Sequence, residues 1–155
     1  MQISLPNRAV EWREDHLALL DQRVLPQEIV FNEYRDAPSV AVAIREMVVR
    51  GAPAIGVTAA YAMVLSAMRH DWDSTHNVQA IEKDISTLGE ARPTAVNLRW
   101  ALDRMRTCFQ KPTKITVASL LEEAQSIHQE DIQGNRRKSK LFYHKILHKD
   151  HERKP

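Results

Sequence analysis

The chain has 155 residues, 43% of them hydrophobic and 27% charged, enough for one domain with its own core and too apolar for wholesale disorder. No run reaches the ~18 consecutive apolar residues of a membrane helix, the opening Met1 to Pro6 is unlike a signal peptide, and the single Cys108 excludes an internal disulfide or a multi-cysteine zinc site; a cytoplasmic protein without membrane contact is expected. The net charge of +2 is unevenly split: residues 136–155 hold eight Lys/Arg against Asp150 and Glu152, a net +6, which leaves −4 on the rest, so a nucleic-acid role would rest on the tail alone.

Residues 8–35 read as three short antiparallel strands. Val10 and Trp12, then Leu17 and Leu19, then Ile29 and Phe31 alternate with polar neighbours, the period of a half-buried strand. Turns are expected at Asp15-His16 and Leu25-Pro26. From Asp36 the period lengthens. Asp36 suits an N-cap, Pro38 suits a first turn, and Val40, Ala43, Ile44, Met47 and Val48 repeat at helical spacing up to a break at Arg50-Gly51-Ala52-Pro53.

A second helix starts with Pro53 in its first turn and runs to about Arg69. Its apolar residues surround the axis, which predicts burial at the centre of the domain. His70 to Asn77 reads as a polar loop. Val78 to Leu88 reads as a more exposed helix, and Ala91-Arg92-Pro93-Thr94 as a junction before a helix to Phe109. A last helix, striped by Leu120, Leu121, Ala124 and Ile127, heads towards Gly134. The fold class is therefore α+β: a small three-stranded antiparallel sheet followed by a helical bundle.

Two junctions share one form, an arginine, a break containing proline, and a helix start: Arg50-Gly51-Ala52-Pro53-Ala54-Ile55-Gly56 and Arg92-Pro93-Thr94-Ala95-Val96-Asn97-Leu98. A helix start offers unpaired N–H groups, and a guanidinium beside it adds a full positive charge with two-pronged geometry. Gly51 lets the backbone approach a ligand. Two such starts converging suit a phosphate monoester, although ordinary helix corners with solvated arginines have the same sequence form.

These two motifs, with Trp100-Ala101, Val10-Glu11-Trp12, the Leu20 to Pro26 stretch and Ile127 to Asp131, resemble the methylthioribose-1-phosphate isomerases, relatives of the regulatory subunits of initiation factor 2B and of ribose-1,5-bisphosphate isomerases. The resemblance covers residues 1–135. It implies an isomerase that converts 5-methylthioribose 1-phosphate to 5-methylthioribulose 1-phosphate in methionine salvage. Arg50, Gly51, Ala52 and Arg92 would be its substrate-binding residues, with a phosphorylated sugar as ligand, no cofactor, no metal, no nucleic-acid partner, and a homodimer in the family. A non-catalytic regulatory module like the initiation factor 2B subunits is the alternative.

The resemblance also places the family's catalytic cysteine and aspartate in a C-terminal Rossmann-like domain outside these residues, so this chain is expected to hold no catalytic residue and to be inactive alone. From Arg136 the sequence departs from the family pattern. Residues 136–155 read as an aberrant basic tail, as if translated out of frame, and are expected to be disordered or loosely helical, with no part in the core. Cys108 sits on a helix core face and reads as an inert thiol. His144 and His148, at i and i+4, lack a carboxylate in phase and are not expected to hold a metal. His128, Glu130 and Asp131 read as a solvated helix face.

Overall fold

The computed structural model describes the backbone of residues 8–151 and the side chains of residues 8–134, Lys140 and Leu141. Three strands, β1 (Val10–Arg13), β2 (His16–Leu20) and β3 (Phe31–Tyr34), form an antiparallel sheet in the order β1-β2-β3. Val10 pairs with Leu19, and Leu20 with Phe31. The hairpin turns at Glu14 and Asp15, with Glu14 at φ 50°. Asp21 fixes the connection to β3: it accepts from the Arg23 guanidinium at 2.7 and 2.9 Å, from the Arg23 backbone N–H at 3.0 Å and from Asn32 at 3.2 Å.

Six helices follow: α1 (Ala37–Arg45), α2 (Ala52–Arg69), α3 (Trp72–Thr75), α4 (Val78–Ala91), α5 (Val96–Phe109) and α6 (Val117–His151). The α+β class holds. As its apolar girth predicts, α2 is the centre, with every residue from Ile55 to Ala67 buried. Helices α1, α4, α5 and α6 and strands β1 and β2 all pack against it. Trp12 of β1 stacks on Tyr61 at 5.6 Å, joining sheet to bundle. Each fully buried Leu or Ile in this core contributes ~1.5–3 kcal/mol of transfer free energy.

Several boundaries differ from the sequence expectation. Helix α1 stops at Arg45 instead of reaching Arg50. Met47 takes φ 63°, its N–H bonds to the Ile44 carbonyl (3.3 Å), and the Val48 N–H bonds to the Ala43 carbonyl (3.0 Å). That is the two-bond Schellman closure of a helix C-terminus, built here on methionine rather than glycine. Val48 and Val49 remain buried without being helical.

The polar loop after α2 contains α3, because Trp72 buries its ring edge-on to Phe109 (4.9 Å) and donates to the Ile115 carbonyl at 3.0 Å. Gly89 lies inside α4, facing Leu102 of α5.

Helix α6 passes Gly134 and continues to His151, so the backbone of 136–151 is helical. Residues 135–151 contain neither Gly nor Pro and are rich in Lys and Arg, which give up little rotamer freedom in a helix. The helix is also nucleated upstream, where Leu120, Ala124 and Ile127 are buried. Residues 152–155, and the side chains of His144 and His148, lie outside the described residues.

Candidate functional site

The five long starts in the bundle divide into two kinds. The first turns of α1, α4 and α6 are closed by side chains: Asp36 accepts from the Ser39 N–H at 2.8 Å, Asn77 from the Ala80 N–H at 3.1 Å, and Thr116 from the Ser119 N–H at 3.2 Å. Neither α2 nor α5 has a side-chain cap; their capping positions are Gly51 and Ala95. Their first backbone N–H groups thus have no side-chain acceptor at the N-cap and carry the partial positive charge of a helix end.

The two open starts meet. A Cβ on Gly56 would stand 3.0 Å from the backbone carbonyl oxygen of Asn97, so glycine is what lets the first turn of α5 approach the second turn of α2. Gly51 begins α2 at φ 90° and ψ 132°, a conformation that L side chains avoid. Its own carbonyl accepts from Ile55 at 3.0 Å. Arg50, Gly51, Ala52 and Pro53 are all exposed, and no atom lies within 4 Å of a Cβ built on Gly51.

Arg92 precedes the other open start, with its carbonyl accepting from Ala95 at 3.0 Å. It is half-buried and lines a groove of about 570 Å³ between α4 and α5, where Arg106 is occupied by Glu82 at 3.0 Å. Among the described residues neither Arg50 nor Arg92 is paired with a carboxylate. The structure thus brings the two helix starts together, but Arg92 lines a different cavity from Pro53.

That second cavity, about 290 Å³, lies between α2, α5 and α6. Pro53, Val57, Trp100 and Ile127 give it apolar walls, and Asn97 and Asp131 add polar groups. Asn97 and Trp100 stand in the sequence within the second motif and just after it, and the structure places both on this cavity, away from the core stripe of Leu98, Leu102 and Met105.

His128 is a correction. It is half-buried, its Nδ1 lies 2.9 Å from the Tyr61 hydroxyl, and the two rings meet edge to face. Burial pushes the Tyr61 hydroxyl up to about 12 and holds the imidazole below its ordinary value. Glu130 is not free either, since Arg104 clasps both of its oxygens at 2.7 and 2.9 Å while reaching Glu123 at 2.6 Å. Cys108 is buried, and burial pushes its thiol up, as an inert core thiol requires. Among the described residues no three His, Cys, Asp or Glu side chains gather closely enough to hold a metal ion.

This α+β scaffold, with its helical bundle behind a small sheet, is that of a known group. A family model described as the initiation factor 2 subunit family matches residues 48–153, and the chain belongs to that family. Within it, the chain is 46% identical over 145 residues to a methylthioribose-1-phosphate isomerase of Alkalilimnicola ehrlichii, covering 90% of this chain and 40% of the relative. It is 50% identical over 135 residues to the isomerase of that name from Pseudomonas aeruginosa, covering 83% and 36%. The crystal structure of 5-methylthioribose 1-phosphate isomerase from Pyrococcus horikoshii superposes with a TM-score of 0.70 at 32% identity, over 81% of this chain and 36% of that one. The delta subunit of translation initiation factor eIF-2B from A. fulgidus superposes with a TM-score of 0.66 at 30% identity, over 81% and 37%. The chain therefore spans about two fifths of the length of the curated relatives it matches.

Proposed function

We propose that this chain is the substrate-phosphate-binding part of an isomerase acting on 5-methylthioribose 1-phosphate. The observation that carries the reading is the pair of uncapped helix starts meeting at Gly56 and Asn97, each preceded by an arginine without a carboxylate partner among the described residues. Backbone N–H groups at Ala52 and Ala54 and the Arg50 guanidinium would receive the phosphate oxygens, with Arg92 approaching from the α5 side. Gly51 and Ala52 keep side-chain bulk out of the way.

Anchoring matters for this reaction. A phosphate on C1 prevents the sugar ring from opening to a free aldehyde, so the anomeric centre must be held while hydrogen is moved between C1 and C2. Positioning is all that these residues supply. Cys108 is buried with a raised thiol, and the catalytic cysteine and aspartate implied by the resemblance lie outside the matched two fifths of the relatives.

The 30% identity to the eIF-2B delta subunit supports a second reading, a non-catalytic regulatory module of the same fold. Titration with 5-methylthioribose 1-phosphate, followed by calorimetry, separates the two. The isomerase reading expects saturable binding that Arg50→Gln and Arg92→Gln each weaken by roughly ten- to hundredfold, the loss of one charge-assisted contact of ~1.5–3 kcal/mol. Absence of binding, or binding indifferent to both variants, contradicts it.

A further inference from the structure

A third cavity, about 360 Å³, lies between β1, α2 and α6. It shares no lining residue with the cavities at Pro53 and at Arg92. Its Tyr61 stands ~12 Å along the α2 axis from Pro53, at ~1.5 Å per residue, so it is separate from the open helix start.

The polar wall of this cavity is built from donors. Tyr61 is buried, and burial pushes its hydroxyl up to about 12, which keeps it protonated. Its one partner among the described residues is His128 Nδ1, at 2.9 Å. A buried hydroxyl must donate its proton, so Nδ1 accepts and the imidazole carries its own hydrogen at Nε2. Burial first, and then Arg8, hold His128 below its ordinary value against an opposite pull from Asp131, so the ring is neutral in the physiological range. The Nε2–H has no partner among the described residues and is a donor on the cavity wall.

Arg8 lines the same cavity and, among the described residues, is paired with no carboxylate. The carboxylate on the wall, Glu11, is matched by Arg13, whose guanidinium donates to one of its oxygens at 2.8 and 3.0 Å. An unmatched positive charge is left beside His128 and Tyr61, and both feel it. Val10, the Tyr61 ring and Ile132 make the rest of the wall apolar. Arg8 would repel a cation, and a bare inorganic anion would leave the apolar wall uncovered. A carboxylate with a short apolar chain satisfies both: one oxygen accepts from the guanidinium, the other from Nε2–H.

We propose that the cavity between β1, α2 and α6 binds a small organic acid, its carboxylate received by Arg8 and His128 and its apolar chain lying against Val10, Tyr61 and Ile132. The site stands independently of the phosphate reading of the helix starts.

The test titrates the full chain with four probes: hexanoate, acetate, hexanol and inorganic phosphate. Side-chain resonances of His128 and Tyr61 are followed, with the Ala52 amide and the Trp100 indole N–H as controls. Two variants leave the Tyr61–His128 bond in place. Arg8→Gln removes the charge at an exposed position, and Gln129→Glu sets a carboxylate on the cavity wall.

The expected result is saturable movement of His128 and Tyr61 with hexanoate while Ala52 and Trp100 stay still. Acetate, lacking the chain, and hexanol, lacking the charge, should each bind at least about tenfold more weakly. Both variants should weaken hexanoate by roughly tenfold or more. No saturable shift with hexanoate, or shifts centred on Ala52 and Trp100, overturns the inference. Hexanol or phosphate matching hexanoate at His128 overturns it too, as does hexanoate binding that survives both variants.

Discussion

Met47 and Asp21 show how much single side chains decide here. Met47 occupies the left-handed position that closes α1, at φ 63° and 43% exposed. A non-glycine residue there is strained by ~1–2 kcal/mol, partly offset by the unfolded-state entropy that glycine would add. Met47→Gly should therefore raise stability by ~0.5–1 kcal/mol in urea unfolding, and a loss of stability would contradict the assigned closure.

Asp21 has a carboxyl held at about 2, first by its hydrogen bonds from the Arg23 guanidinium and then, against the cost of burial, by the Arg23 N–H and Asn32. Its unfolded value is ~3.9. The stability it contributes is thus present above about pH 4 and is lost as pH falls towards 2. Asp21→Asn should flatten stability against pH across that window. An unchanged acid limb would show that other groups carry it.

Elements explain which parts of the fold were legible in the sequence. Asp36 announces its helix because a short acceptor before a periodic run closes a first turn, and it makes that bond; Asn77, read only as the end of a loop, does the same for α4. The all-round apolar girth of α2 predicted its central place. What escaped depended on distant partners: α3 exists because Trp72 reaches Ile115 and Phe109, and His128 is half-buried because Tyr61 comes from another helix.

The candidate site was legible as two motifs, but not as a geometry. That α2 and α5 approach through Gly56 is a long-range fact, as is the separation of Arg92 from the cavity at Pro53. Gly56→Val should be severe, since its Cβ meets the Asn97 carbonyl at 3.0 Å and backbone must move, a cost of ~1–3 kcal/mol as in overpacked cores. Gly89→Val faces only Leu102 Cδ1 at 3.8 Å and should cost less, about the helix penalty of a β-branched residue. Thermal unfolding that ranks them the other way would contradict the α2–α5 contact. Gly51→Val should also harm phosphate binding more than Gly89→Val. A circular-dichroism check of folding is needed beside that titration, because φ 90° makes any side chain at Gly51 strained.

At the scale of the whole molecule, a buried helix wrapped by its neighbours supports a surface where two helix starts remain open. The described core contacts of α6 come from Leu120, Ala124 and Ile127, while Lys140 and Leu141 are exposed. Removing residues 136–155 should therefore change unfolding stability by no more than ~0.5 kcal/mol, the range for surface changes. A larger loss would show that the basic segment belongs to the core. Residues 1–155 alone should not turn over 5-methylthioribose 1-phosphate, since phosphate anchoring without an acid–base pair leaves the hydrogen transfer uncatalysed.

The central claim is that the uncapped starts of α2 and α5 receive a phosphate, and backbone amide resonances during titration with 5-methylthioribose 1-phosphate test it most directly. The account predicts saturable shifts at Ala52, Ala54, Val96 and Asn97, with Ser39 and Ala80 at the capped starts unmoved. Shifts absent from the open starts, or no larger there than at Ser39 and Ala80, would contradict it.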